Sequence, residues 1–155
     1  MPVEVMNRSA SDNRYLHRDF HLSLNTGIDY LYKTYTMADV EIYLTRFASN
    51  FYAPVIERIK KGGLEAAKTA FLSPYEAEDE QGVVTFTERK GEVLITISEC
   101  PAVRHFNAKG VAPSPFYPLT TTIVWTEICR QAGLGFQTLS YDPKTGAAQH
   151  IIYEK

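Results

Sequence analysis

The sequence predicts an α+β domain, in which N-terminal helices pack on an antiparallel sheet of two β-hairpins with an intervening helix. Three observations lead there. Apolar residues recur at helical spacing through the first half of the chain, and the period changes to two near Val83. Two turn sequences, Lys90-Gly91 and Asp142-Pro143-Lys144-Thr145-Gly146, each divide a pair of alternating segments. A chain of 155 residues with 45% hydrophobic composition can bury a core without staples. We therefore read residues 12–155 as a single α+β domain and the small, polar residues 1–11 as a flexible N-terminal arm.

Helix one begins near Asn13, where Asp12 is placed to cap the first turn. Its apolar stripe is Leu16, Phe20, Leu24, Ile28, Leu31 and Tyr35, and it ends near Thr34. Thr36 and Asp39 form a T-x-x-D capping pattern ahead of Val40, Leu44, Phe47, Phe51, Val55 and Ile59. This second helix should kink at Pro54, which removes one backbone bond and crowds the preceding turn. Lys60-Lys61-Gly62-Gly63 should end it. A shorter third helix over Leu64–Leu72 should stop at Ser73-Pro74, before an acidic linker.

Val83–Glu88 and Glu92–Ser98 then alternate about the Lys90-Gly91 turn, with Val93, Ile95 and Ile97 facing the core. A short helix follows Cys100-Pro101 to about Ala108, and Gly110–Pro115 reads as a loop. Thr120–Ala132 is too long for an ordinary strand and its apolar spacing is helical. Phe136–Tyr141 and Ala147–Tyr153 form the second hairpin.

Sixteen basic and eighteen acidic residues leave a formal charge of -2 without a basic stripe, which argues against nucleic acid as a partner. No stretch of about 18 apolar residues occurs and the first residues lack a signal-peptide pattern, so the expected setting is cytoplasmic, away from any membrane. Cys100 and Cys129 are too few for a disulfide scaffold and read as free thiols.

The chemistry concentrates in two places. DNRYLHRDFH brings Asp12, Asn13, Tyr15, His17, Asp19 and His21 within ten residues. His17 and His21, four apart on a helix, project from one side, a spacing at which two imidazoles hold one divalent metal. A third ligand would have to come from Asp19, His105, His150 or a carboxylate supplied by the fold. The same residues could instead orient a small ligand and move protons, or hydrogen-bond locally at the edge of the apolar stripe.

The second place is Glu99-Cys100-Pro101, with His105 five residues beyond the cysteine. Cys100 ends a strand and precedes a proline suited to the first turn of a helix, where backbone amides favour a thiolate. Such a thiolate is a nucleophile; His105 or an N-terminal histidine would carry the proton, and Glu99 or Asp19 would orient it. The alternative is that Cys100 only fills space, the role assigned to Cys129 on its helix. The ten tyrosines, Tyr30, Tyr32, Tyr35, Tyr43, Tyr52 and Tyr117 among them, suit a mixed cavity or an interface between copies of the chain.

With its Glu99-Cys100-Pro101 junction, the helical stretch Ala102–Ala108 and the closing run Gln149-His150-Ile151-Ile152-Tyr153, the chain resembles the L-2-amino-thiazoline-4-carboxylic acid hydrolase family. The likeness lies in order and shape. Cys100 matches the cysteine that ends the second strand of the family's hairpin. Gln149 and His150 stand where the family often has cysteine and aspartate, Tyr117-Pro118 stands near another family cysteine, and DNRYLHRDFH looks like a distinct branch.

The resemblance implies a hydrolase acting on carbon–nitrogen or carbon–sulfur bonds of a small cyclic amidine or thiazoline. Cys100 would be the nucleophile, His17, His21 and His105 the acid-base candidates, and Asp12, Asn13, Tyr15, Asp19 and Glu99 the substrate-binding candidates. No cofactor is needed in that reading. The two alternatives are a metal-dependent hydrolase built on His17 and His21 and a non-catalytic small-molecule binding domain.

Overall fold

The computed structural model describes the backbone from residue 14 and the side chains from residue 20 to the end of the chain. The expected N-terminal arm, Asp12 and Asn13 lie outside the described residues, as do the side chains of Tyr15, His17 and Asp19. Five helices and four strands follow: α1 (Arg14–Thr34), α2 (Met37–Phe51), α3 (Ala53–Ala77), β1 (Val84–Arg89), β2 (Glu92–Ile97), α4 (Pro101–Ala108), α5 (Leu119–Gln131), β3 (Leu134–Tyr141) and β4 (Ala148–Glu154). The predicted α+β class holds. No helix among the described residues is long and apolar enough to cross a membrane.

The Thr36 cap forms as read: Asp39 donates its amide to Thr36 Oγ1 at 3.3 Å, and its carboxylate accepts from Thr36 N–H at 2.9 Å. Pro54 does not kink one long helix but starts a new one. With no N–H to offer, it sits in the first turn of α3, and Tyr52 between the helices takes a non-helical φ/ψ of -94/11°. Gly63 marks the predicted end of that helix, but only as a sharp kink at φ 62° inside α3. The chain resumes at Leu64 and passes through Pro74 to Ala77, so Ser73-Pro74 is not a stop. One missing bond near a helix end costs little when the next turn continues, and Glu78 N–H reaches Pro74 O at 3.2 Å.

All four strands are antiparallel in the order β1-β2-β4-β3, so the two hairpins meet through β2 and β4 with Ile95 opposite His150 and Val93 opposite Ile152. Val93, Ile95, Ile97, Phe136, Ala148 and Ile152 form the buried face, as predicted for the first three. The helices that lie directly on it are α3 and α5; α2 rests on α5, and α1 on α2 and α4. Helices one and two were expected on the sheet; the expected second helix divides, its first half forming α2, which with α1 stands behind α5, and its second half opening α3, the helix that reaches the sheet. The short link from α5 into β3 folds α5 back over its own strand, leaving Val40, Leu44 and Ala48 of α2 to pack behind it. In α1, Ile28 is buried and Leu24 and Leu31 join the core, whereas Phe20 and Tyr35 are exposed.

Candidate functional site around Cys100

Besides its apolar stripe, α1 carries a second row at helical spacing: His21, Asn25, Asp29 and Tyr32. This row grips the loop before α5. Asn25 Oδ1 accepts from Ser114 N–H at 2.7 Å, Asn25 Nδ2 donates to Ala112 O at 3.3 Å, and Asp29 accepts from Ser114 Oγ at 3.0 Å. The Tyr32 and Phe116 rings lie 3.8 Å apart. The loop so anchored brings Tyr117 to His21, with Tyr117 Oη 3.3 Å from His21 Nδ1.

The other ring nitrogen of His21 meets α3. Its Nε2 lies 2.9 Å from Glu78 Oε1, and Glu78 is only 6% exposed. Glu78 is fixed by the way the helix ends: Asp79 adopts φ 58°, Asp79 N–H donates to Glu76 O at 3.0 Å, and Glu80 N–H to Tyr75 O at 2.7 Å. That is the paired C-terminal closure of a helix with a left-handed residue after its cap. A carboxylate can only accept, so Nε2 carries the proton toward Glu78 and Nδ1 accepts from the Tyr117 hydroxyl.

Cys100 caps α4 with extended φ/ψ of -85/118°, and Pro101 occupies the first turn, as the sequence predicts. Its N–H donates to Thr145 O at 2.9 Å and its carbonyl accepts from Arg104 N–H at 3.0 Å. The Thr145 turn is itself built: Asp142 accepts from Lys144 N–H at 2.9 Å and Thr145 Oγ1 at 2.8 Å, and Asn107 of α4 donates to Lys144 O at 3.0 Å. Gly146, at φ 70°, backs directly onto Cys100, where any Cβ would collide with the cysteine's own.

The sulfur therefore sits at a helix N-terminus and packs against the small buried cluster of Ala102, Val103, Phe106 and Tyr117. Burial pushes the Cys100 thiol above its usual range. The amides of Val103 and Ala102 pull it down without forming a side-chain cap, and Glu78 and Glu99 push it further up. Desolvation wins, so the resting group is a thiol and the expected standing thiolate is not its ground state. Burial likewise holds Tyr75 and Tyr117 protonated and lifts Tyr141 to about 12.

Of the predicted site residues, His21 and Cys100 approach each other through Tyr117, which is bonded to His21 and lies in the cluster that Cys100 packs against. Glu99 borders it but spends its carboxylate on Arg104, 3.3 Å away, which also pairs with Glu80. The Nε2 of His105 is buried without a hydrogen-bond partner, so it makes no bond to the sulfur. His150 belongs to the core: it bonds Thr138 Oγ1 at 3.0 Å and lies between Phe71 and Phe136. Cys129 is fully buried, as its packing role requires.

Of the tyrosines read as cavity lining, Tyr117 is in the cluster, while Tyr30, Tyr32, Tyr35 and Tyr43 are exposed. Glu78, Tyr75 and Tyr141 were missed. Glu78 stands four and seven residues after Pro74 and Phe71, on the buried face of α3, a signal hidden once Pro74 is taken as a stop. Among the described residues no group of three or more His, Cys, Asp or Glu is arranged to hold a metal. Both ring nitrogens of His21 are engaged, so a metal there would have to displace Glu78 or Tyr117. No protein-family model matches the chain, and no curated protein sequence matches it significantly.

Proposed function

We propose that this protein is a cysteine-dependent hydrolase of a small cyclic amidine or thiazoline-type compound, related in kind to L-2-amino-thiazoline-4-carboxylate hydrolysis. One observation carries the reading: a histidine oriented by a buried carboxylate touches a tyrosine that belongs to the buried cluster packed against a cysteine at a helix N-terminus. Glu78 and Glu99 favour a substrate carbon that gains positive character when its amidine is protonated.

The Cys100 thiol adds to the amidine carbon, forming a C–S bond, while its proton passes through the Tyr117 hydroxyl to His21 Nδ1 and returns through the same hydroxyl to the ring heteroatom. The protonated heteroatom then leaves as its bond to that carbon breaks, and the ring opens onto the sulfur. Water adds to the same carbon, the C–S bond breaks, and the sulfur recovers a proton, releasing the ring-opened, hydrated product. Net consumption is one water. Glu78 holds the imidazole and stabilises it when protonated, as an orienting carboxylate does in other nucleophile–histidine pairs.

The test is turnover of thiazoline carboxylates and related cyclic amidines by the native protein and by Cys100→Ser and His21→Asn, with and without a chelator. Cys100→Ser should abolish turnover, and His21→Asn should lower it on the order of 10²-fold. A fully active Cys100→Ser protein ends the nucleophile reading. Loss of activity on chelation and in His21→Asn, with Cys100→Ser nearly unaffected, would assign the chemistry to a metal at His17 and His21 instead, and no turnover of any such compound would leave a binding domain.

A further inference from the structure

The face of α2 turned away from the core is apolar as well. Val40, Leu44 and Ala48 are buried, yet Ile42 is 51% exposed, Tyr43 46% and Phe51 66%. Phe47 and Phe51 on its flank stack at 5.1 Å and 12°. A helix that must satisfy only its own core shows one apolar stripe and a charged opposite face. Here that opposite face presents Asp39, Ile42, Tyr43 and Arg46, which line a groove that runs on to Phe47 and Phe51 on the flank of the helix.

The order of residues along this stripe identifies what covers it. Asp39 and Arg46 lie seven residues apart on one face, with Ile42 and Tyr43 midway between them. A two-fold axis crossing the helix between Ile42 and Tyr43 sets Asp39 against Arg46 of a second copy, twice, and sets Ile42 against Tyr43, twice. The same axis carries the exposed Tyr35 opposite Asn50. Both charges are exposed, Asp39 is bonded to its Thr36 cap, and Arg46 has no carboxylate partner among the described residues. The stripe is complementary to itself when reversed, which is what an isologous interface requires.

We propose that the protein is a homodimer formed by antiparallel pairing of α2 with α2 of a second copy, with Ile42 and Tyr43 at its centre and Asp39–Arg46 pairs at both ends. This inference is independent of the hydrolase reading, since α2 contributes no residue to the Cys100 cluster. Each substitution in such an interface acts twice, so charge reversal has a doubled effect.

The decisive experiment is sedimentation equilibrium on the full chain across the micromolar range, with circular dichroism to confirm folding. The native protein should sediment at twice its 17.5 kDa mass. Arg46→Asp and Asp39→Lys should each weaken the dimer by about tenfold or more, since facing like charges repel. The double variant should return the dissociation constant to within about threefold of the native value, the restoration expected of directly facing partners. Ile42→Glu, which leaves the cap and both charges in place, should give a folded monomer. A native monomer throughout the range overturns the proposal and leaves the stripe to a different occupant. A dimer that survives Ile42→Glu and Arg46→Asp, or single variants that dissociate with no rescue in the double, overturns this pairing.

Discussion

The molecule holds the same two residue types, a buried glutamate and a free cysteine, in two places that behave differently. On α5, Glu127 accepts from Arg130 Nε at 2.7 Å, from Arg130 Nη2 at 2.8 Å, from Gln131 at 2.7 Å and from Ser49 at 3.3 Å, and the Arg130 bonds lead in lowering its pKa to about 2. Cys129, two residues on, is wholly buried, and that burial lifts it to about 12. In the Cys100 corner, Glu78 is bonded to an imidazole, and the thiol sits at a helix N-terminus against the cluster that holds Tyr117. Burial alone therefore does not distinguish the two. What separates them is whether the neighbours can themselves exchange protons, as His21 and Tyr117 can and the guanidinium of Arg130 cannot.

The widest gap between the two regions should appear in thiol chemistry. Cys129 can meet a reagent only when the fold opens, a state rarer than the native one by about 10³ or more for an ordinary domain. Cys100 is partly exposed. Mass spectrometry after iodoacetamide treatment should show Cys100 modified at least ~10³-fold faster in the native protein, with Cys129 reached only in denaturant. Because the Cys100 pKa is raised from 9.0, its rate should go on climbing past pH 9. Comparable rates at the two thiols would erase the contrast.

Acid should attack the α5 side in stages. His150, 3% exposed and linked through Thr138 to Thr122 of α5, has its pKa lowered from 6.5 to about 4 by burial. The unfolded chain therefore binds a proton that the folded one refuses. This contribution to stability is complete above pH 6.5 and declines as pH falls to about 4, by about 3 kcal/mol. Glu127, lowered from 4.5 to about 2, contributes fully above 4.5 and loses its share below that. Urea titrations from pH 7 to 4 should show the first loss in the native protein and a much flatter profile in His150→Gln. An unchanged slope in that variant would mean that His150 is not the group responsible.

How much of this was readable beforehand differs between the two regions for physical reasons. Both hairpins were legible because Lys90-Gly91 and Asp142–Gly146 are local turn sequences, and the α4 start was legible because Cys100-Pro101 combines a strand end with a first-turn proline. The β2–β4 pairing joins segments more than fifty residues apart, and no local pattern specifies it. In the candidate site, His21 and Cys100 were singled out by residue type. Glu78 was hidden in an acidic run, where charge reads as solvated surface. Tyr117 was noted only as one tyrosine of ten, since its place depends on Asn25 and Asp29 holding a loop 85 to 89 residues away.

Neutralising each glutamate should separate function from stability. Glu78→Gln keeps a hydrogen-bonding group beside His21 but replaces an acceptor-only carboxylate with an amide that no longer fixes which ring nitrogen carries the proton, so turnover should fall on the order of 10²-fold while the unfolding midpoint moves little. Glu127→Gln should do the reverse: it breaks the charge-assisted bonds to Arg130, costing about 2 kcal/mol once the exposure of Arg130 is discounted, and leaves turnover intact. Steady-state rates and urea midpoints measured on the same two proteins decide it. Equal losses in both assays for both variants would show that the two carboxylates are interchangeable structural groups.

The smallest effect is also the most local. Gly133 and Gly146 share left-handed backbones, with φ of 82° and 70°, and each follows a helix or turn in one of the two regions. Alanine at Gly133 meets nothing within 4 Å, so its cost is backbone strain alone, about 1 kcal/mol, with turnover unchanged. Alanine at Gly146 carries the same strain and drives its methyl into Cys100 Cβ and the Val103 side chain. The Asp142–Gly146 turn or the first turn of α4 must then shift, adding overpacking for a total of about 2 kcal/mol and moving the sulfur relative to Tyr117. Urea denaturation should show the modest difference in stability, and turnover should fall only in Gly146→Ala. If both glycine variants retain native rates, the position of Cys100 against that turn has no bearing on its chemistry.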